Sequence, residues 1–172
     1  TSHVESRNAG FELLRTSTDE QTQRSVINAL GSIDSDRARR AIRTIIERND
    51  AAERVRYDAI LSLSRERDSR MISPEETAYL RSLYGKLEST RLKEAVLTSV
   101  GRIQSSESEQ FLLAIARNTN ESPSLRASAL QRLGRMNSVG VAEIAKLYEV
   151  ADSRAMREQI LSALSQRKEP GG

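Results

Sequence analysis

The chain has 172 residues, 37% hydrophobic but only 3% aromatic, with no cysteine and no tryptophan. This length suits one ordinary domain or a short repeat array, and the missing thiols exclude disulfides, thiolate nucleophiles and sulfur-ligated metals. A formal charge of +3, from 27 basic and 24 acidic residues, weighs against a strongly basic nucleic-acid binder.

The predicted elements follow in chain order as five helical hairpins. Residues 1–8 hold the only histidine, His3, and are expected as a disordered N-terminus. The first hairpin, about 9–33, has Phe11, Leu13 and Leu14 on its first helix and a second helix from Thr22. The next, about 37–66, carries Ala41, Ile42, Ile45 and Ile46, then a second helix from Val55. In the third, about 75–103, Ser73-Pro74-Glu75-Glu76 marks a helix start: a cap, a proline at the first helical position and acids in the first turn. Ala78, Leu80, Leu83 and Tyr84 follow, and the second helix begins at Leu92. The fourth, about 107–136, has Phe111, Leu112, Ile115 and Ala116, then Ser122-Pro123 ahead of Leu125. The fifth, about 139–167, has Ile144, Ala145, Leu147 and Tyr148, then Met156. Asp34 or Ser35, Ser89 and Asp152 are expected as caps, and 169–172 as a tail or the start of a truncated further repeat.

The second helices are copies of one another. Twelve-residue segments starting at 22, 55, 92, 125 and 156 share the order apolar, basic, two variable, two apolar, two variable, apolar, then Gly or Ser. Apolar residues at i, i+4, i+5 and i+8 make a helical stripe. The tenth position is always small: Gly31, Ser64, Gly101, Gly134 and Ser165. Glycine within a helix costs about 1 kcal/mol relative to alanine, so a small residue in every copy points to close helix–helix approach there. Helical hairpins repeated in this way stack side by side.

Ser124-Leu-Arg-Ala-Ser-Ala-Leu-Gln-Arg-Leu-Gly134 resembles the Asp-x-x-Val-Arg-x-x-Ala-x-x-Ala-Leu-Gly ending of HEAT repeats, above all the short PBS-lyase-like form. Asp50–Ser64, Leu92–Gly101 and Asp152–Ser165 match well, whereas Thr22–Gly31 departs with Gln23 at the basic position. The likeness spans about residues 9–167 and implies an all-α, right-handed α-α superhelix, or armadillo-like solenoid, of about five hairpins. It is specific for fold and weak for function. It also implies that Arg56, Lys93, Arg126 and Arg157, each five or six residues after Asp50, Glu88, Glu121 and Asp152, belong to internal pairs that tie a hairpin to its neighbours.

In such arrays the second helices line the concave face. The residues directed away from their apolar stripe form three rows: Ser32, Arg65, Arg102, Arg135 and Gln166; Asn28, Leu61, Thr98, Gln131 and Ser162; and Ser25, Asp58, Ala95, Ser128 and Gln159. The candidate partner-binding residues are therefore Arg65, Arg102, Arg135, Asn28, Asp58, Thr98, Gln131, Gln159 and Gln166. The arginine row could hold acidic peptide or phosphate through paired hydrogen bonds.

No catalytic residue, metal ligand or cofactor site is assigned. A Ser–His pair would have to draw on His3 in the expected disordered N-terminus, no glycine-rich phosphate loop is present, and Glu75 and Glu76 read as charges favouring a helix N-terminus. The expected function is a non-catalytic scaffold or adaptor for a protein or peptide. The alternatives are nucleic-acid binding through the arginine row, helped by Arg24 and Arg132, or a non-catalytic subunit of a lyase-type enzyme. No membrane insertion is expected, self-association through an exposed terminal repeat is possible, and the chain begins at Thr1, which leaves the compartment open.

Overall fold

The computed structural model describes residues 2–33, 35–65, 74–136 and 140–166, with side chains described from residue 8 onward except that of Arg15. These residues form α helices and one short 3-10 turn, with no strand among them. The chain divides into two compact units, Thr1–Glu76 and Thr77–Gly172.

In the N-terminal unit lie α1 (Ser2–Thr16), α2 (Glu20–Gly31), α3 (Asp36–Glu47) and α4 (Glu53–Leu63). Helix α1 thus includes residues 2–8, expected above as a disordered N-terminus. Helix α1 packs on α2 and α3 on α4, making two hairpins, and the second helices α2 and α4 pack on each other. Ile27, Ile42, Ile46, Val55 and Ile60 are fully buried, which is the apolar stripe of each helix turned inward.

Helix α5 (Pro74–Tyr84) runs from one unit into the other. The C-terminal unit continues with α6 (Thr90–Arg102), α7 (Ser106–Arg117), α8 (Pro123–Arg135), α9 (Val141–Lys146, extended by a 3-10 turn Leu147–Val150) and α10 (Arg154–Ser165). Helix α7 pairs with α8 and α9 with α10, while α6, α8 and α10 pack in succession as neighbouring second helices. The core is Leu, Ile, Val and Ala, with Leu92, Leu97, Leu112, Leu125, Leu130 and Leu133 among its largest members.

Short polar side chains fix most helix starts by accepting from otherwise unpaired first-turn amides. Ser35, Ser89, Ser105, Ser122 and Ser153 do this for α3, α6, α7, α8 and α10, and Asp19 Oδ2 accepts from Thr22 N at 2.7 Å. Ser153, not Asp152, therefore caps α10, leaving Asp152 for a longer-range partner. The expected caps Ser73 and Asp34 lie outside the described residues.

The three glycines at the tenth position sit where second helices touch. A Cβ on Gly31 would meet Ser62 Cβ at 3.1 Å, one on Gly101 would meet Arg132 Cδ at 2.8 Å, and one on Gly134 would meet Ala163 Cα at 2.9 Å. In all three the residue opposed is at the eighth position of the next repeat, so the small column is a packing seam.

Candidate interaction surface

The basic second position of each repeat is turned inward. A side chain on the first helical turn leans back toward the helix N-terminus, which brings it beside the carbonyl end of its own hairpin's first helix. Arg56 Nε donates to Ile46 O at 2.8 Å, and Arg126 Nε to Ala116 O at 3.2 Å. Gln23, where the basic residue is missing, still donates to Ser17 O at 2.7 Å. The acid that completes the arrangement belongs to the following repeat: Arg126 reaches Asp152 at 2.5 Å and Lys93 lies 3.7 Å from Glu121. The acid ahead of Arg56 goes elsewhere, since Asp50 pairs with Arg48 at 2.6 Å. Arg126 is 1% exposed, and its third nitrogen donates to Val150 O at 3.4 Å.

Around Lys93 the pair widens into a cluster. The Tyr84 hydroxyl donates to Glu121 Oε2 at 2.8 Å, Lys93 Nζ lies 5.1 Å from the Tyr84 ring centre, and Phe111 meets that ring edge-on at 5.4 Å. Burial pushes the Tyr84 phenol far above its ordinary value, and the Glu121 carboxylate adds to this. Burial also raises the Glu121 carboxyl, but the Ser122 amide, the Tyr84 hydroxyl and Lys93 outweigh it and hold the group below the ordinary carboxylate value.

A second polar layer crosses the seams between second helices. Arg24 binds Asp58 at 2.5 Å, and Arg132 binds Glu94 at 2.9 Å and Thr98 at 2.7 Å, with Ser128 also donating to Glu94. Arg24 and Arg132, expected as supplementary anion contacts, are thus both paired and partly buried. In the row Ser25, Asp58, Ala95, Ser128 and Gln159, the three middle residues are not open, whereas Ser25 and Gln159 are exposed. Ala95 is fully buried, while Asp58 and Ser128 are spent on the seam. On α6 and α8 that edge lies at the packed seam, as the reach of Glu94 across to α8 shows.

First helices are laced in the same manner. Glu76, expected as a charge favouring the helix N-terminus, is 3% exposed and lies 2.8 Å from Arg43 and 3.7 Å from Arg39. Arg117 of α7 pairs with Glu143 of α9 at 3.0 Å.

What remains open is the pair of rows at the seventh and eleventh positions. Arg65, Arg102 and Arg135 are exposed, as are Asn28, Gln131 and Gln166. Arg65 is engaged, donating to Asn28 Oδ1 at 2.9 Å in the N-terminal unit. Thr98 is half-buried under Arg132. Gln166 lies 3.4 Å from Ser162 Oγ, and Gln159 is exposed on α10. Arg102 and Arg135 have no hydrogen-bond or ion-pair partner among the described residues. Sequence reading missed Glu94 as a seam residue. The available signal was charge at the third position opposed to charge at the fourth or eighth of the next repeat: Arg24 with Asp58, Glu94 with Arg132.

Residues 9–97 match the model of a family described as HEAT repeats, slightly more than half of the chain. Comparison with curated proteins gives no match. No described helix is long and apolar enough to cross a membrane.

Proposed function

Because the chain belongs to the HEAT-repeat family, whose members commonly serve as interaction scaffolds and are typically non-catalytic, we propose that it is a scaffold receiving a peptide or protein partner on the open rows of its second helices. The observation that carries this reading is the contrast between charges. Arg24, Arg126 and Arg132 are consumed internally, whereas Arg102 and Arg135 are exposed and have no hydrogen-bond or ion-pair partner among the described residues, on the same rows as exposed Gln131. An unpaired guanidinium is a ready two-pronged donor for a carboxylate. Nucleic-acid binding has less support, because its affinity grows with the number of phosphates that Lys and Arg neutralise and the pairing of Arg24 and Arg132 removes two of the cations it would use.

The test places a photo-crosslinking residue either at Gln131, on the open row, or at exposed Gln110 on α7, in lysate of the source organism. The scaffold reading expects a discrete protein adduct from Gln131, none from Gln110, and loss of the adduct on Arg102→Glu with Arg135→Glu. Equal adducts from both positions would refute the assigned surface. Salt-sensitive recovery of nucleic acid in place of protein would transfer the assignment to the nucleic-acid reading.

A further inference from the structure

We infer that the open face shared by α6 and α8 takes an acidic peptide in extended, polyproline-like form, with two carboxylates three residues apart, one on Arg102 and the other on Arg135. This rests on the scaffold reading and adds the chemistry of its partner. Glu94 is the single acid of α6 and α8 taken together, and it is bound to Arg132 and Ser128. Among the cations of these helices, Arg132 is held by Glu94, Arg126 by Asp152 and Lys93 by Glu121, while Arg91 stands at the opposite end of α6. Arg102 and Arg135 are left, both exposed and both at the eleventh position of their repeats. The next acid along the chain from Arg102 is Glu107, which is drawn to its own backbone amide and to the hydroxyls of Ser105 and Ser106, and the cation it feels is Arg81. Residues 137–139, just beyond Arg135, carry no charge. Among the described residues, the seventh and eleventh positions of α6 and α8 thus hold two positive charges and no negative one.

Spacing selects the form of the peptide. Gly101 and Gly134 immediately precede the two arginines, and α8 closes on α6 so tightly that a Cβ on Gly101 would meet Arg132 Cδ at 2.8 Å. Helices packed in contact lie about 8–10 Å apart, and so do equivalent positions along them. A polyproline helix rises about 3.1 Å per residue with three residues per turn, so its residues i and i+3 point the same way about 9 Å apart. Like-facing residues of a β-strand are only about 7 Å apart. A helical partner lays an apolar face into an apolar groove, but the large exposed hydrophobics, Leu13, Val141, Tyr148, Val150 and Leu161, all lie outside α6 and α8. An extended segment brings its own peptide groups instead, and exposed Gln131, one turn before Arg135, offers them both a donor and an acceptor. Each guanidinium addresses a carboxylate through two parallel N–H bonds. The carbonyl ends of α6 and α8 oppose the anion in part, so the site is weak and sensitive to salt.

Titration at low salt with two capped seven-residue peptides of alanine and proline, followed by NMR shifts of the chain, tests this. One peptide has glutamates at its second and fifth positions, the other at its second and third, so both carry the same charge. The wild type is expected to bind the spaced peptide about fivefold more tightly, the worth of one further exposed ion pair. Arg102→Gln or Arg135→Gln should weaken the spaced peptide by about fivefold and erase its advantage over the adjacent one. Lys86→Gln, at an exposed cation just after α5, should leave both affinities unchanged. All three substitutions are at exposed positions, and circular dichroism verifies that each variant keeps its helix content. Equal binding of the two peptides by the wild type overturns the spacing. A loss on Lys86→Gln as large as on the arginine variants overturns the assignment to the α6–α8 face. Absence of any shift at ~5 mM peptide overturns the proposal, and a discrete adduct from Gln131 in the same case leaves the scaffold reading standing. A short single-stranded DNA that binds more tightly than the spaced peptide, and loses that affinity in both arginine variants, also overturns it and gives the face to nucleic acid.

Discussion

Arg126 carries more of the C-terminal unit than any other polar residue described. Its guanidinium serves the Ala116 carbonyl, the Val150 carbonyl and Asp152 from a position 1% exposed, so it links the end of α7, the turn after α9 and the approach to α10. Arg126→Ala leaves the Ala116 and Val150 carbonyls without their donor and opens a cavity where a fully buried side chain stood, and is expected to cost about 2–5 kcal/mol by urea denaturation. Arg126→Lys should recover little, since an ammonium cannot address three acceptors in the plane of a guanidinium. Asp152 is 49% exposed, and Asp152→Asn keeps an acceptor, so its loss should be nearer 1 kcal/mol. Glu121 supplies a pH dependence. Its folded-state value lies below the ordinary carboxylate value of about 4.3, so its contribution is complete above that pH and fades as pH falls through the lower folded value. Glu121→Gln should therefore lower stability at neutral pH and flatten the acid limb of a stability–pH curve. An acid limb identical to wild type would show that Glu121 is not the group responsible. The basic column was legible in the sequence because it recurs at one position. Its partners were not, because a guanidinium reaches across to the next hairpin, and the acids five or six residues upstream were nearer only along the chain.

Between elements, the seam glycines set how closely second helices approach. Gly134→Ala would regain about 1 kcal/mol of helix propensity, but its Cβ would lie 2.9 Å from Ala163 Cα and 3.0 Å from Ala163 Cβ. The atoms opposed are backbone and the first side-chain carbon, which cannot swing aside, so α10 itself must shift. Overpacking of this kind costs about 1–3 kcal/mol, and the net effect is expected to be destabilising by thermal melting. Gly31→Ala, opposed at 3.1 Å by Ser62 Cβ, should be closer to neutral, and the reverse ranking would contradict the seam. This column was readable because five copies agree on a small residue. The row containing Ala95 was misjudged for a related reason. Periodicity identifies an apolar stripe, but the angle at which neighbouring helices pack decides which polar edge beside the stripe is also covered. Glu94 and Arg132, spaced as ordinary surface charges, cover it here.

At the scale of the molecule, the sequence was sufficient for the all-helical class and the family, since each property repeats and errors in one copy are corrected by the others. The open surface was legible only in part, because exposure at Arg102 and Arg135 depends on which other arginines are consumed internally, and this is a property of the packed array. The division into Thr1–Glu76 and Thr77–Gly172 leads to a further expectation. Stability in stacked repeats is approximately a sum of local terms and nearest-neighbour contacts, so damage in one unit need not open the other as a single two-state molecule would. Arg126→Ala removes bonds confined to α7, α8 and the approach to α10. In native-state hydrogen exchange it should speed exchange through α7–α10, while the amides of α2, α3 and α4, held by Ile27, Ile42, Ile46 and Ile60 in their own core, keep wild-type protection. Sub-global opening of this kind appears as protection lost in a contiguous block rather than uniformly. Equal acceleration from α2 to α10 would mean that the two units unfold as one, and the cost of removing Arg126 would then be shared by the entire chain.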